Sequence, residues 1–492
     1  MKRLFAIILI ITLSVCSAAA CDDSSGSSAS GGADQSAGAG AEAETAAETV
    51  TERAFIDNLP SDLDFGGESI NILCLDDGQA KDFYPEQSGD VVEDALFDRS
   101  AAVEERLNLK INTIALNIEW TDYLTAVRKL LMANDKTYDA MYMWQYDFAP
   151  LAVDGFFLDL SDAPYHDLTQ PWWAVDYMKS VSVNGNRVYF LFGDYTLSMI
   201  CKMTCFMFNK NMYSDVVGDP DGLYGTVLDG GWTFDKLMSV MTGYYSDING
   251  DGVKDQNDIY GMTFSYGASI IENLIMSMGG YFSDRDENGL PFLTGATDRV
   301  IEGIDRVIML SRSDPFYYNK DNPINTDHAF LEGRLGFVGG DIEDTSFFRA
   351  MEDEFGIIPY PKYDEEQKKY ITTIHDMVMM TALPVNCAKV EAVCTAFEAM
   401  SSEGYSSVTP AYYEIALKTK YVRDDISCQV IDLLHDTRYA DFAYVYNYGL
   451  ESVVTIIRNI VDRGVNNYTS WFARNESRLA GKVDKMIQKA GS

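Results

Sequence analysis

The sequence predicts an α/β protein of two domains, on the basis of three observations. Strand-like and helix-like segments alternate between residues 68 and 144, the pattern of a parallel sheet covered by helices. The chain has 492 residues, more than one hydrophobic core usually serves. Two extended segments, at 188–208 and 355–363, are long enough to cross between domains. We therefore expect two α/β domains joined by extended crossings.

The N-terminus has the pattern of a secretory signal peptide with a lipoprotein ending. Lys2 and Arg3 precede an apolar run, and small residues lead into Cys21. An ordinary secreted protein with an incidental cysteine is one alternative. A transmembrane anchor is another, although the apolar run is short for it. We predict a signal peptide at 1–20 and lipidation of Cys21, which would anchor the protein on the extracellular face of the cell membrane.

Residues 21–55 are predicted to form a disordered tether rich in Ser, Gly, Ala and Glu. Between residues 22 and 51 there is no aromatic residue and hardly a branched aliphatic one. Such a segment cannot bury enough apolar surface to offset the entropy lost on ordering. The tether would hold a globular body near the membrane and leave it free to move over the surface.

The composition limits the partners and the metal chemistry. The formal net charge is −37, from 75 acidic and 38 basic residues, and a field of this sign repels nucleic acid. Of the eight cysteines, two lie in the first 21 residues. The other six lack a disulfide-framework spacing, so we predict buried free thiols in preference to a zinc site. These six are Cys74, Cys201, Cys205, Cys387, Cys394 and Cys428.

The first domain is predicted from its alternating elements. Strands are expected at 68–75, 109–116 and 138–144, and helices at 91–107 and 121–133. Ligands of such sheets bind beyond the carboxyl ends of the strands. The polar and aromatic residues that follow the first and third strands are therefore candidate ligand-binding residues. They are Asp76, Asp77, Trp144, Tyr146 and Asp147.

A calcium-binding loop is predicted at residues 247–258, after a helix expected at 232–241 that Thr233 would cap. Oxygen-bearing side chains stand at loop positions 1, 3, 5, 9 and 12, and Gly252 stands at position 6. The last position holds Asp where an EF-hand has Glu, and the alternative is a merely polar turn. We predict structural calcium, held by Asp247, Asn249, Asp251, Val253, Asp255 and Asp258.

The remaining segments continue the α/β pattern. Residues 330–340 predict a helix end, a glycine turn and a strand, and 388–487 are predicted to be mainly helical. The acidic stretch at 284–289 begins like the calcium loop but has no closing acidic residue. We expect a hairpin turn there.

Five motifs together resemble the extracellular solute-binding proteins of bacterial ABC importers, in the carbohydrate-binding, family 1-like group of Gram-positive anaerobes. They are GWTFDKL, DINGDGVKDQNDIYG, FLEGRLGFVGG, FGIIPYPKYDEEQKKY and SSVTPAYYEIALKTKYVRDD. The resemblance covers the chain from about residue 68 to its end. It implies a periplasmic-binding-protein-like (type II) fold with two discontinuous α/β lobes, hinge strands and a ligand cleft between the lobes.

The resemblance also implies lobe boundaries and partners. Lobe one would comprise 60–198 plus 322–358, and lobe two 199–321 plus 359–492. The cleft would capture a sugar or oligosaccharide and deliver it to ABC permease subunits in the membrane. We expect a monomer.

A sugar site needs aromatic plates for ring faces, and carboxylates or amides for hydroxyl groups. Beyond the strand-end candidates, residues near the crossings and in loops fit this chemistry. They are Trp172, Trp173, Asp194, Tyr195, Asp341, His375 and Asp376, with Tyr266, Glu272, Tyr412 and Tyr413 as further candidates. Trp172 and Trp173 could instead pin a loop to its lobe.

Besides transport, the sequence leaves two other function classes open, an enzyme and a surface receptor. The four histidines stand in no zinc or hydrolase motif, and we predict that the protein is not an enzyme. His375 and Asp376 could be a catalytic pair, and acidic pairs such as glycosidases use remain open among so many carboxylates. The second alternative is a glycan- or solute-sensing surface receptor without a transport role.

Overall fold

The computed structural model describes residues 56–185, 187–264, 269–413 and 425–491. Cys21, the predicted signal peptide and tether, and Tyr266 lie outside these ranges. The strands of the described part are β1 Glu68–Cys74, β2 Leu109–Ala115, β3 Ala140–Trp144, β4 Thr204–Asn209, β5 Met262–Thr263, β6 Ser283–Arg285, β7 Pro291–Leu293, β8 Phe316–Tyr317, β9 Phe337–Asp341, β10 Phe355–Ile358, β11 Thr372–Thr373, β12 Met379–Ala382 and β13 Arg438–Tyr439.

Helices make up most of the remaining regular structure, with a 3₁₀ turn at Ile342–Asp344 and a π-helical turn at Gly404–Val408. The α-helices are α1 Asp77–Ala80, α2 Val91–Leu107, α3 Trp120–Met132, α4 Gln145–Val153, α5 Val175–Val181, α6 Ser198–Cys201, α7 Lys210–Val216, α8 Pro220–Leu228, α9 Phe234–Met241, α10 Ile270–Ser277, α11 Asp298–Ser311, α12 Thr326–Leu331, α13 Thr345–Phe348, α14 Val390–Glu403, α15 Asp425–Asp436, α16 Phe442–Val445, α17 Ile456–Arg463 and α18 Tyr468–Gly491.

The larger sheet has four strands in the order β12-β3-β1-β2. β1 runs parallel to both β2 and β3, whereas β12 runs antiparallel to β3. The three parallel strands end at one edge of the sheet, and the turns and helix starts that follow them collect there. This edge carries the first set of predicted site residues.

A second sheet of three antiparallel strands has the order β10-β4-β9. All six residues of β4 are buried, as expected for a central strand covered on both faces. Trp232 anchors this region: it is fully buried, its indole stacks on Phe337, and its Nε1 donates to the Pro359 carbonyl at 2.8 Å.

The strand pairing differs from the predicted division of the chain into lobes. The prediction places 322–358 with the first sheet, but β9 and β10 pair with β4 in the second sheet. It also places 359–492 with the second sheet, but β12 pairs with β3 in the first. Local patterns identify strands but do not say which distant strand each one pairs with.

The first crossing is shorter than predicted. Residues 188–208 were expected to form one long strand, but within them the chain forms α6 and only then β4, which begins at Thr204. Residues 355–363 are not a crossing, because β10 stays in the second sheet. The chain returns to the first sheet between β11 and β12.

Several predicted elements are confirmed. The helix predicted at 91–107 is α2, with Asp90 capping its first turn and Asn108 ending it in the left-handed conformation at φ 46°. Thr233 caps α9 as predicted. The 284–289 segment is the turn of the β6–β7 hairpin, where Asp286 accepts from backbone N–H groups. Residues 388–487 are mainly helical in their described part.

Candidate site between the two sheets

Two short segments connect the sheets and lie side by side. Met203 and Ile374 form an antiparallel bridge, and the His375 N–H donates to the Lys202 carbonyl at 2.8 Å. Lys202 lies just before β4, and His375 lies just before β12. Residues at these positions therefore lie where the chain passes from one sheet to the other.

The first sheet contributes Tyr146 and Asp147 from the first turn of α4, directly after β3. The Tyr146 N–H donates to the Asp376 carbonyl at 3.0 Å, which ties this turn to the second connecting segment. Burial, together with the nearby Asp376 carboxylate, raises the pKa of Asp147. The same two causes, with Asp147, raise the pKa of Tyr146. These side chains therefore share one poorly hydrated, acidic environment.

The second sheet contributes a lysine held between two carboxylates. Lys202 Nζ lies 3.2 Å from Asp341 Oδ2 and also pairs with Glu343, just past the end of β9. Burial alone would lower the pKa of Lys202, but Asp341 and Glu343 outweigh it and raise that pKa. Burial and Asp341 raise the pKa of Asp344 to about 6. Asp341 is 6% exposed, and its Oδ1 accepts no hydrogen bond among the described residues.

Two further helices complete the arrangement. Glu272 on α10 is fully buried, and its Oε1 accepts from Arg458 Nε on α17 at 2.6 Å. Its Oε2 accepts no hydrogen bond within the described ranges. Burial raises the pKa of Glu272 although Arg458 opposes the shift. Tyr448, which is 64% exposed, lies close enough to Tyr146 to influence its pKa.

We name this group the inter-sheet site. It combines acidic side chains and two tyrosines, which are residue types a sugar site needs, with two paired cations. Its members are Tyr146, Asp147, Lys202, Glu272, Asp341, Glu343, His375, Asp376, Tyr448 and Arg458.

Sequence reasoning proposed some members of the inter-sheet site and missed others. Tyr146, Asp147, Asp341, His375 and Asp376 were predicted from strand ends and crossings, and Glu272 was a further candidate. Glu343 was expected just past the same strand end as Asp341 but was not chosen as a candidate. The other three have no motif in the sequence, since their neighbours are distant in the chain; they are Lys202, Tyr448 and Arg458.

His375 and Asp376 do not have the geometry of a catalytic pair. His375 Nδ1 lies 3.2 Å from Asp376 Oδ1, but the same nitrogen accepts the Met377 N–H at 3.1 Å. Burial lowers the pKa of His375, which favours the neutral ring. A neutral ring whose Nδ1 is an acceptor has its proton on Nε2 and donates none to Asp376.

Asp76, Asp77 and Trp144 lie at the predicted edge of the first sheet without joining the network. Asp76 caps α1, with its Oδ1 accepting the Gln79 N–H at 2.9 Å. Asp77 is exposed and accepts from Asn117 Nδ2 at 3.4 Å. Trp144 is half-buried, with its ring edge-on to Tyr123. These residues form a rim that leaves Asp77 open to solvent.

Trp172 and Trp173 do not form an open platform for a sugar ring. They are 2% and 5% exposed, and both indole N–H groups donate to the Glu398 carboxylate, at 3.1 and 2.9 Å. The alternative in which the pair pins a loop fits this geometry. Sequence reasoning could not find Glu398, which lies more than 220 residues away in the chain.

Asp194 and Tyr195 also have partners within the protein and do not join the inter-sheet site. The Tyr195 hydroxyl donates to the Leu191 carbonyl at 2.7 Å, and the residue is 1% exposed. Thr409 Oγ1 donates to Asp194 Oδ2 at 3.1 Å, and burial raises the pKa of Asp194 to about 7. Position near the predicted crossing therefore selected one core residue and one inward-facing carboxyl.

The 247–258 loop forms compact turns that are closed by its own carboxylates. Asp247 accepts the N–H groups of Gly250 and Gly252 at 2.7 and 2.8 Å, and both glycines have φ of 72°. Asp258 is fully buried; its Oδ2 accepts the Asp255 N–H, while its Oδ1 has no partner in the described part of the chain. No three His, Cys, Asp or Glu side chains of the described residues are grouped closely enough to hold a metal ion as they stand.

The six cysteines of the globular part lie in the described ranges, where none of them forms a disulfide bond; three are buried as predicted, and Cys201, Cys387 and Cys428 are only half-buried. Cys74, Cys205 and Cys394 are buried, and burial raises the pKa of each thiol, so none is a reactive thiolate. Within the described ranges, no helix is both long and apolar enough to cross a membrane.

The structure is similar to solved structures of solute-binding proteins. It aligns with UgpB from Mycobacterium tuberculosis, solved with glycerophosphocholine, at a TM-score of 0.57 and 16% identity over 86% of this chain and 100% of that chain. It aligns with the ABC substrate-binding protein Lmo0181 from Listeria monocytogenes, solved with cycloalternan, at a TM-score of 0.53 and 12% identity over 86% of this chain and 99% of that chain. It aligns with a cyclo/maltodextrin-binding protein, solved with maltotetraose, at a TM-score of 0.56 and 11% identity over 86% of this chain and 97% of that chain. No protein-family model and no curated protein sequence matches the chain.

These likenesses identify the fold. The chain has the type II periplasmic-binding-protein-like fold of solute-binding proteins, and the predicted fold class is confirmed. The neighbours align over nearly their whole length, so the fold covers the body of this protein and not only one sheet.

Proposed function

We propose that the protein is the substrate-binding lipoprotein of an ABC transporter, which captures a sugar or oligosaccharide and delivers it to a membrane permease. The observation that carries the proposal is the inter-sheet site, where carboxylates and tyrosines converge beside the two connecting segments. Ligands of α/β folds bind at such strand ends. Two of the structural neighbours named above were solved with oligosaccharides, which supports this ligand class.

Binding and closure form the first test. We expect an oligosaccharide from a broad glycan panel to raise the melting temperature, and the same ligand to reduce the radius of gyration in small-angle X-ray scattering. Tyr146→Ala should lose the thermal shift, whereas Tyr165→Ala, which removes an exposed tyrosine outside the site, should keep it. No binding by any glycan would contradict the proposal. Cleavage of a bound glycan, seen by chromatography, would favour an enzyme.

Membrane attachment through Cys21 belongs to the same proposal. Lys2, Arg3 and the small residues before Cys21 support lipidation. Cys21→Ser should release the protein into the medium when it is expressed in a Gram-positive host, and metabolic labelling with a fatty acid should mark only the wild-type chain. Membrane retention of the Ser variant would contradict lipid anchoring at this residue.

We also propose that the 247–258 loop binds structural calcium. The spacing of its oxygen ligands and the unpartnered, buried Asp258 Oδ1 support the assignment. Because the carboxylates are turned toward backbone N–H groups, calcium would have to draw Asp247, Asp251, Asp255 and Asp258 together.

Calorimetry after chelation tests the calcium proposal. We expect calcium binding together with a rise in melting temperature, and we expect Asp247→Asn to weaken both. Asp286→Asn is a matched control, because Asp286 holds the similar hairpin turn that lacks a closing ligand. The absence of both heat and stabilisation would contradict calcium binding.

A further inference from the structure

Both cations of the inter-sheet site are already engaged by carboxylates. Lys202 lies between Asp341 and Glu343, and Arg458 Nε is 2.6 Å from Glu272 Oε1. Taking a cation from a buried carboxylate leaves that carboxylate uncompensated, which is costly. A ligand anion would therefore compete with protein carboxylates for each positive charge.

The carboxylates of the inter-sheet site outnumber its cations. In addition to the three acids that hold Lys202 and Arg458, the site contains Asp147 and Asp376, which lie close together. His375 adds no positive charge near neutral pH, because burial lowers its pKa. The field that raises the pKa of Asp147 also disfavours any other negative charge placed there.

Two buried acceptor atoms of the site also lack a hydrogen-bond donor in the described part of the chain. Asp341 Oδ1 and Glu272 Oε2 belong to residues that are 6% and 0% exposed, and neither atom has a donor among the described residues. Buried acceptors without a donor cost free energy. Hydroxyl and ammonium groups can donate to such acceptors, whereas carboxylate, sulfate and phosphate groups of a ligand only accept.

We infer that the inter-sheet site selects neutral or amino sugars and rejects sugars that carry carboxylate, sulfate or phosphate groups. The inference rests on the proposed function, since it concerns the ligand of the same site. It goes further because it states a charge rule for the ligand: amino-substituted sugars bind at least as well as neutral ones, and acidic ones bind worst.

The test is a panel of neutral oligosaccharides, each paired with an amino-substituted and a carboxylated form of the same backbone. Isothermal titration with the wild-type protein should give dissociation constants at least tenfold higher for the carboxylated form than for its neutral parent. A carboxylated form that binds as tightly as its parent, or more tightly, overturns the charge rule while the sugar-binding function stands. If no member of the panel binds, the proposed function itself fails, and the charge rule fails with it.

Two isosteric variants test whether the named residues cause the selection. Asp147→Asn and Asp376→Asn keep the shape of the side chain and remove one negative charge each. Each should reduce the ratio of the dissociation constants of the carboxylated and neutral forms by about threefold or more. Asp162→Asn, at an exposed aspartate outside the site, should leave this ratio unchanged. An unchanged difference in both site variants would assign the selection to other residues and overturn the inference.

Discussion

The carboxylate of Glu398 joins two parts of the chain that are distant in sequence. It is 2% exposed and accepts from both indole N–H groups of the Trp172–Trp173 pair, and also from the Asp167 N–H at 3.2 Å. Three donors around one buried carboxylate make it a structural centre of this region. Removing the carboxylate would leave all three donors without a partner.

Glu398→Ala is therefore expected to reduce the free energy of unfolding by ~2–4 kcal/mol, from three unpaired donors and a small cavity. Trp172→Phe removes one donor and keeps most of the ring, so its cost should be only ~1–2 kcal/mol. Urea denaturation of both variants measures the difference. Equal costs would show that ring packing, and not the carboxylate, stabilises this region.

The same carboxyl predicts a pH dependence of stability. Burial raises the pKa of Glu398 from 4.5 to about 7, so between these values the folded protein holds a proton that the unfolded chain has released. This contribution to stability is present at low pH and is lost as pH rises toward about 7. Glu398→Gln cannot titrate. Its melting temperature, relative to wild type, should therefore rise between pH 5 and pH 8, and a constant difference would contradict the shifted pKa.

At the scale of elements, local signals predicted some of the fold and tertiary contacts decided the rest. The helix α2 was predicted from its amphipathic pattern, and the structure adds the Asp90 cap and the left-handed Asn108 that ends it. The segment 188–208 was not, because a run made almost entirely of β-favouring residues does not show that α6 interrupts it. The site followed the same division, since strand ends located Tyr146 and Asp147 but gave no signal for Arg458, which pairs with Glu272.

The π-helical turn that begins at Gly404 permits a close approach between the end of α14 and the backbone of Asp194. A Cβ at this position would lie 1.8 Å from the Asp194 carbonyl oxygen, a backbone atom that cannot move alone. Gly404→Ala should therefore reduce the free energy of unfolding by ~1–3 kcal/mol through overpacking.

Gly481→Ala is the matched control for this element. Gly481 lies within α18, and an added Cβ would meet no atom within 4 Å. Alanine should stabilise that helix by ~0.5–1 kcal/mol. In chemical denaturation, the two variants should change the free energy of unfolding in opposite directions. A neutral Gly404→Ala would mean that the backbone around Asp194 adjusts freely.

At the scale of the whole molecule, the net charge of −37 sets how stability responds to salt. Ion pairs at the surface are weakened by salt and individually contribute little. The excess of 75 acidic over 38 basic residues leaves a net self-repulsion that destabilises the compact state. Screening by salt should therefore stabilise the folded protein by reducing this repulsion more than it destabilises the protein by weakening ion pairs.

Raising sodium chloride from about 0.01 M to about 0.15 M shortens the screening length from about 30 Å to about 8 Å. We expect the melting temperature to rise, by roughly 2–4 °C for each kcal/mol of repulsion removed. A chelator in every sample excludes calcium, and Asp247→Asn should follow the same curve because monovalent screening does not need the loop. A melting temperature that falls with salt would show that specific ion pairs, such as that of Arg458 with Glu272, outweigh the repulsion of the whole chain.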